Sequence, residues 1–333
     1  MTVSAKSFSV IICAYASERW SLLTEAVASV QAQTYAAYEI IVVIDHNPAL
    51  LRQAQEKWTD IRVIANNQSR GLSGARNSGV AAASGDVVAF LDDDAMAEVN
   101  WLASMHDALL DSQILGVGTA VRPAWEVREP AWFPVEFQWV VGCTYRGMPQ
   151  VNAPIRNPVG ASMCIRRMVF QAVGGFRNGI GRIGTLPIGC EETELCIRAR
   201  QHWPEGQFLY LPQTSVSHYV PQKRATWRYF FKRCYAEGIS KAAISRLVGT
   251  QDALSSESAY TIKTLPAGVL RNLGLALLKV SAMRLVCAAA IIMGFGMTVI
   301  GYLIGKYAPL SSGVDQDVPS FPSGEQRQQE VSL

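Results

Sequence analysis

Two groups of acids in this sequence have the types and spacing that chemistry needs. Asp92-Asp93-Asp94 closes the run DVVAFLDDD, and three adjacent hard oxygen donors suit Mg²⁺ or Mn²⁺, which in turn neutralises a diphosphate. The same acids would equally serve a helix N-cap on a solvated turn. Glu191, Glu192 and Glu194 stand in CEETELCIR, where a carboxylate near a helix N-terminus stays ionised and can take a proton from an attacking hydroxyl. Without the upstream aspartates they would merely complement a helix dipole. Asp45 ends the apolar run EIIVVID, and His218 follows QFLYLP, with Arg224 six residues on. In Asn66–Gly79 the glycines permit a tight turn into a helix, from which Arg76 offers a fixed cation to a phosphate. That stretch is not G-x-G-x-x-G, which counts against a dehydrogenase.

These residues need elements to hold them. FSVIICAY, EIIVVID, IRVIA, DVVAFLD and ILGVGTAV read as strands, and between them ERWSLLTEAVASVQAQ and segments near Pro48–Trp58, Leu72–Ala83 and Val99–Leu110 read as helices. The alternation predicts an α/β fold with a mostly parallel sheet covered on both faces. Ligands then sit beyond the carboxyl ends of the strands, where Ala14-Tyr15, Asp45 and Asp92–Asp94 lie.

With these residues in this order, the chain resembles glycosyltransferase family 2, whose fold is GT-A, over roughly residues 8 to 245. The opening strand ends near Ala14-Tyr15; Gly71 to Gly79 looks like the family's G-x-x-x-A-R-N-x-G, FLDDD like its D-x-D, Gly174-Gly175-Phe176 like its G-G-F, and Glu191-Glu192 like its E-D pair. The resemblance implies donor contacts from Ala14, Tyr15, Glu18, Asp45, Gly71, Arg76, Asp92 and Asp93, with Arg182 and Arg224 as further candidates. It implies Asp94 and His218 as ligands of Mn²⁺ or Mg²⁺. The second acid of the pair is the family's usual base; here it is Glu192 rather than Asp, so the choice between Glu191 and Glu192 stays open. A closer resemblance, to glucosyl-dolichyl phosphate glucuronosyltransferases and their bacterial relatives, rests on Pro123–Trp125, Glu129–Pro134, Ile155–Ala161 and Gly238–Ala242. It implies transfer of glucuronate or a hexose from a UDP-sugar, with inversion, to a hydroxyl of a polyprenyl-linked glycan. Trp125, Trp132, Asn157 and Gly160 are then candidates for the acceptor, although the tryptophans suit a core as well as a sugar platform or a membrane interface. Rival readings are a lipid phosphate as acceptor, a membrane-anchored binding module without turnover, and a nucleotidyltransferase.

Composition sets the outer limits. The chain has 333 residues, 49% of them apolar and 17% charged, with a mean hydropathy of +0.13, which suggests contact with lipid. A net charge of +3 without a long basic run leaves nucleic-acid binding no electrostatic footprint. Seven scattered cysteines without a C-x-x-C pair read as reduced thiols rather than a disulfide framework or zinc site. From Leu285 to Gly305 no residue is charged, and a helix of that length reaches about 30 Å, enough to span a bilayer core. Gly294 and Gly296 lack the G-x-x-x-G spacing of paired membrane helices. The cations Arg271, Lys279 and Arg284 before the segment favour a cytoplasmic body held at the cell membrane by a single pass. The expected organisation is a catalytic domain over 1–250, a linker and interfacial segment over 251–284, a transmembrane helix over 285–305, and a disordered polar tail over 306–333.

Overall fold

A computed structural model describes residues 7–180, 189–254, 257–279, 281–307 and 318–321. Five strands carry the chain's first half: β1 (Phe8–Ala14), β2 (Glu39–Ile44), β3 (Arg62–Ala65), β4 (Val87–Asp92) and the short β5 (Ala95–Ala97). Four more follow: β6 (Ile114–Trp125), β7 (Ala153–Ile155), β8 (Ser162–Arg166) and β9 (Gln207–Val220). They form one sheet in the order β3-β2-β1-β4-β8-β6-β9-β5, with β7 pairing on β9.

The strands β1 to β4 are parallel, as the alternation of strand and helix requires. The sheet as a whole is mixed, because β8 runs antiparallel between β4 and β6. This departs from the mostly parallel expectation, since β8 has no crossover helix before it to mark it in the sequence. Strand β9 pairs parallel with β6 and then antiparallel with β5, setting His218 opposite Ala95, just past the acidic turn.

Alternation along β1 sends Phe8, Val10 and Ile12 to one face of the sheet and Ile11 to the other, all of them buried. The first face is covered by α1 (Trp20–Gln31), α2 (Pro48–Lys57) and α4 (Trp101–Ala108), through Leu23, Val27, Leu50 and Trp101. The second is covered by α3 (Leu72–Ala82), α5 (Arg167–Val173) and α6 (Glu191–His202), through Val80, Phe170 and Leu195.

Beyond the sheet come α7 (Trp227–Val248), the short turns α8 (Thr250–Ala253) and α9 (Glu257–Ala259), then α10 (Leu265–Lys279) and α11 (Ala282–Tyr307). The segment expected to be a linker is part of the folded body. Glu257 pairs with Arg156 and Lys241, Tyr260 donates to the Glu136 carbonyl at 2.7 Å, and Arg271 pairs with buried Glu136 at 2.8 Å. Helix α11 is long and apolar enough to cross a membrane. Within the tail expected to be disordered, Val318–Phe321 docks on the body: Gly175 N–H donates to the Pro319 carbonyl, and Phe321 is buried against Phe170. The sequence signal overlooked there is one phenylalanine between prolines in an otherwise polar run.

Candidate active site

The acidic turn after β4 is fixed from several sides. Tyr219 N–H donates to the Asp94 carbonyl at 2.8 Å, pinning the turn to β9, and His218 Nε2 reaches Asp94 Oδ1 at 3.2 Å. Donor atoms of Asp92, Asp94 and His218 lie within 4.8 Å of one another, the spacing of a cation's ligand set. Cys143 Sγ sits 3.7 Å from His218 Nδ1. A side chain at Gly142 would come within 3.3 Å of the imidazole, and its φ of +84° favours glycine as well.

Charge in this corner is concentrated and buried. Burial opposes the Asp94 carboxylate, but His218, Arg19 and Arg224 outweigh it and hold the group well below the usual carboxylate range. Burial likewise opposes the His218 imidazolium, and Asp94 raises it nonetheless to about 10. The test of fit for a divalent ion is the state of the remaining oxygens. Asp94 Oδ2 is buried without a hydrogen bond, its charge met by the ion pair with Arg19 at 3.2 Å and, more distantly, by Arg224, as expected of a hard donor that has room for a cation. Asp92, Asp94 and His218 therefore fit Mn²⁺ or Mg²⁺.

Asp93 pairs with Arg19 at 2.8 Å, while burial and the Asp94 charge push it up to about 7. Arg19 thus ties the two aspartates together across the turn. Arg19, which also reaches Asp94 at 3.2 Å, was not among the residues read from the sequence; an arginine at the start of an amphipathic helix carries no signal of its target.

Asp45 organises a loop. Its Oδ1 accepts from Asn66 Nδ2 at 2.7 Å and its Oδ2 from Gly71 N–H at 3.0 Å, binding the end of β2 to the entrance of α3. Gly71 has φ +121°, and Gly74 lies so close to the Ser69 carbonyl that a Cβ would stand 1.9 Å from it. This packing aims Arg76 into the site, where it bonds Glu191 at 2.9 Å and the Gly160 carbonyl at 3.0 Å, with Asp92 3.5 Å away. Asn77 clamps both backbone groups of Phe176, tying the G-G-F turn to the same helix.

The two glutamates at the start of α6 separate by role. Glu191 is buried and committed to Arg76. Glu192 is half-buried and has no ion pair among the described residues. Burial, then the Glu191 charge, pushes its carboxyl up to about 8, with Arg76 working against them. The expectation of an ionised carboxylate at this helix N-terminus is thus reversed by burial and by Glu191: the group is mostly protonated at neutral pH and is a strong base once ionised above about 8.

One cavity of about 700 Å³ brings Arg76, Asp92, Glu191, Glu192, His218 and Arg224 together, and Asn157 and Gly160 line it as well. Ala14, Tyr15, Glu18 and Asp45 lie outside its lining; Tyr15 and Glu18 are exposed beside the strand ends, and Ala14 is buried. Arg182 falls outside the described residues. Trp125 and Trp132 do not line the cavity: Trp132 stacks on Trp227 at 3.7 Å and Trp125 packs edge-on against Phe133, so both serve the aromatic core under α7. Trp139 is the tryptophan that faces the cavity, its indole donating to Tyr260 at 3.0 Å. Arg233, Glu237 and Lys241, four residues apart along α7, form a largely buried ionic wall continued by Glu257 of α9, a partner that spacing along one helix does not reveal.

A sequence profile described as "Glycosyl transferase family 2" matches residues 9–174. Glucosyl-dolichyl phosphate glucuronosyltransferase of Haloferax volcanii is 35% identical over 243 residues, covering 72% of this chain and 77% of that protein. UDP-Glc:alpha-D-GlcNAc-diphosphoundecaprenol beta-1,3-glucosyltransferase WfgD of Escherichia coli is 32% identical over 108 residues, covering 32% of this chain and 42% of that protein. Among solved structures, the mannosyltransferase PcManGT of Pyrobaculum calidifontis, in complex with GDP-Man and Mn²⁺, superposes with a TM-score of 0.57 at 18% identity, covering 90% of this chain and 88% of that one. GalNAc-T7 with UDP, GalNAc and Mn²⁺ gives 0.51 at 18% identity, covering 78% of this chain and 57% of that one. The profile and the Haloferax relative agree with the strand-end acids and the GT-A sheet, and the chain belongs to glycosyltransferase family 2, as an enzyme that transfers a sugar.

Proposed function

We propose that the protein is an inverting, metal-dependent transferase that moves a sugar, glucuronate or a hexose, from a UDP-sugar to a hydroxyl of a polyprenyl-linked glycan at the cell membrane. The observation that carries this reading is that one cavity is lined by Asp92 and His218 of a cation's ligand set, the third member Asp94 being buried against His218, and by a separate, uncommitted carboxylate, Glu192. A reaction that needs leaving-group neutralisation and proton removal at two different points calls for that pairing. The names of the Haloferax and Escherichia relatives, which specify acceptors on dolichyl phosphate and diphosphoundecaprenol, favour a lipid-linked acceptor.

Asp92, Asp94 and His218 would hold Mn²⁺ or Mg²⁺, which supplies charge neutralisation for the departing diphosphate. Arg224, buried beside Asp94, and Arg76 add fixed positive charge on the donor side. Glu192 takes the proton from the acceptor hydroxyl as its oxygen attacks the anomeric carbon. The bond from that carbon to the diphosphate oxygen breaks, its electron pair leaves with UDP, and the single displacement inverts the anomeric centre. Glu191 holds Arg76 in place throughout. Donor-base contacts fall to Tyr15 and Glu18, on the exposed rim at the end of β1.

The test is nucleoside diphosphate release by detergent-solubilised protein from a panel of UDP- and GDP-sugars, with Mn²⁺ or EDTA, with and without lipid-linked glycans. The reading expects release from a UDP-sugar, stimulated by acceptor and abolished by EDTA. Release from GDP-sugars alone would overturn the donor assignment, and release undiminished by EDTA would overturn the metal.

A further inference from the structure

Hydropathy alone gives α11 as a membrane span, but its neighbours give it a different position. It lies along α7: Gly294 sits against Phe137 and Phe230, Gly301 against the Tyr235 carbonyl, and Gly305 against Ile239 and Ala242. Arg246 of α7 donates to the Gly305 carbonyl at 2.8 Å. Helix α7 is itself fastened to the catalytic body along its length. Trp227 stacks on Trp132, the Ser240 hydroxyl accepts from Gly189 N–H, and the Val248 carbonyl accepts from Gln201 near the far end of α6. After α11 the chain is again on the body, where Pro319 bonds Gly175 and Phe321 is buried against Phe170.

Near its start Cys287 Sγ donates to the Ala131 carbonyl at 3.2 Å, so both ends of α11 are held by the same domain. Had the helix crossed a bilayer, Ala308–Asp317 would have to bring the chain back through hydrocarbon, and that stretch contains two serines, two aspartates and a proline. Hydrocarbon does not admit such a segment exposed to lipid.

We propose that α10 and α11 form an in-plane membrane-binding surface, inserted into one leaflet without crossing it. On α10, Leu270, Leu277 and Leu278 are 69%, 83% and 83% exposed; on α11, Ile292, Ile300 and Leu303 are 60%, 47% and 51% exposed. An apolar surface of that extent marks a site for lipid or a partner. Charge selects lipid. From Leu265 to Tyr307 the sequence has four cations and no acid; Arg271 is committed to Glu136, and Lys279, Arg284 and Lys306 complement an anionic headgroup layer. On the transferase reading, the surface also serves acceptor entry. Phe295, Thr298 and Tyr302 of α11 line the cavity that contains Glu192, so a lipid-borne sugar reaches the base from the leaflet in which its chain is buried.

The test uses the full chain with different epitope tags at its two ends, in vesicles of phosphatidylcholine and phosphatidylglycerol, treated with a protease that does not cross the bilayer. The expected result is loss of both tags from the same molecules, with no protected carboxyl-terminal fragment. A protected carboxyl-terminal tag on molecules that have lost the amino-terminal one would show that α11 crosses and would overturn the proposal. The double variant Leu277→Glu, Leu278→Glu should reduce partition onto the same vesicles by roughly tenfold or more, with an unchanged melting temperature in detergent. Unchanged partition would overturn the leaflet contact. Neither readout depends on sugar transfer, so failure here leaves the chemistry untouched, and an inactive protein that passes leaves the surface standing.

Discussion

Glu192 differs from its neighbour Glu191 in what it is free to do, and that difference is measurable. Glu192→Gln should lower kcat by about 10²–10⁴-fold, the usual range for losing a general base, while KM for the donor stays near its original value. Only the ionised carboxylate accepts a proton, so kcat/KM should rise as pH increases through about 8 and level off above it; a profile flat from pH 6 to 9 would contradict the assignment. The same raised pKa has a consequence for stability. Its folded value of about 8 lies above the ordinary carboxyl value of 4.5, so the folded state holds this proton more tightly than the unfolded chain. Stability from this group is therefore full below about 4.5 and is lost as pH rises through about 8. Glu192→Gln should accordingly melt higher than the native protein at pH 9, with the difference shrinking as pH falls and vanishing only below about 4.5. At the cation site, Asp94→Ala should abolish Mn²⁺-dependent donor binding, measured by calorimetry, because Asp92 and His218 alone leave too few ligands.

At the scale of elements, the contact between α7 and α11 rests on backbone approach. A Cβ on Gly238 would stand 2.1 Å from the Thr298 carbonyl, and one on Gly301 would stand 2.1 Å from the Tyr235 carbonyl. Backbone cannot give way as a side chain can, so Gly238→Ala and Gly301→Ala should each cost about 1–3 kcal/mol in thermal or denaturant melts. Gly296 has nothing within 4 Å, and Gly296→Ala should be neutral or stabilising by about 0.5–1 kcal/mol, as for any exposed helical glycine. The spacing of Gly301 and Gly305 is the G-x-x-x-G that Gly294 and Gly296 lack, and it is used within the chain, against Tyr235, Ile239 and Ala242. Elements defined by periodicity were readable: the four parallel strands and the helices α1 to α4 follow from apolar alternation and turn residues. β8 was not, since five buried residues without alternation look the same whichever way they run. Nor were the partners of Trp125, Trp132 and Arg19, because composition fixes what a side chain prefers but not which neighbour supplies it.

Across the whole molecule, Asp45 and Asp92–Asp94 were legible as a site because each group ends an apolar strand and a sheet gathers strand ends on one edge, whereas His218 and the Glu191-Glu192 pair were legible only through the family resemblance. What was hidden is how the carboxyl-terminal third closes over that edge. Arg156, Lys241, Glu257 and Arg271 are ordinary surface residues by composition, yet Glu257 ties α9 to α7 and to Arg156, and Arg271 ties α10 to Glu136. Phe321 is the last described link, and Phe321→Ala should lower stability by about 1–3 kcal/mol through loss of buried ring area against Phe170. The central claim remains that one cavity combines a cation-held leaving group with Glu192 as base. The most direct measurement is acceptor-dependent UDP release by native protein and Glu192→Gln, each with its donor affinity determined in parallel. The account predicts that Glu192→Gln binds donor as the native protein does and loses acceptor-dependent release. Release retained by Glu192→Gln would contradict it, and would point instead to an acceptor, such as a lipid phosphate, that arrives already ionised.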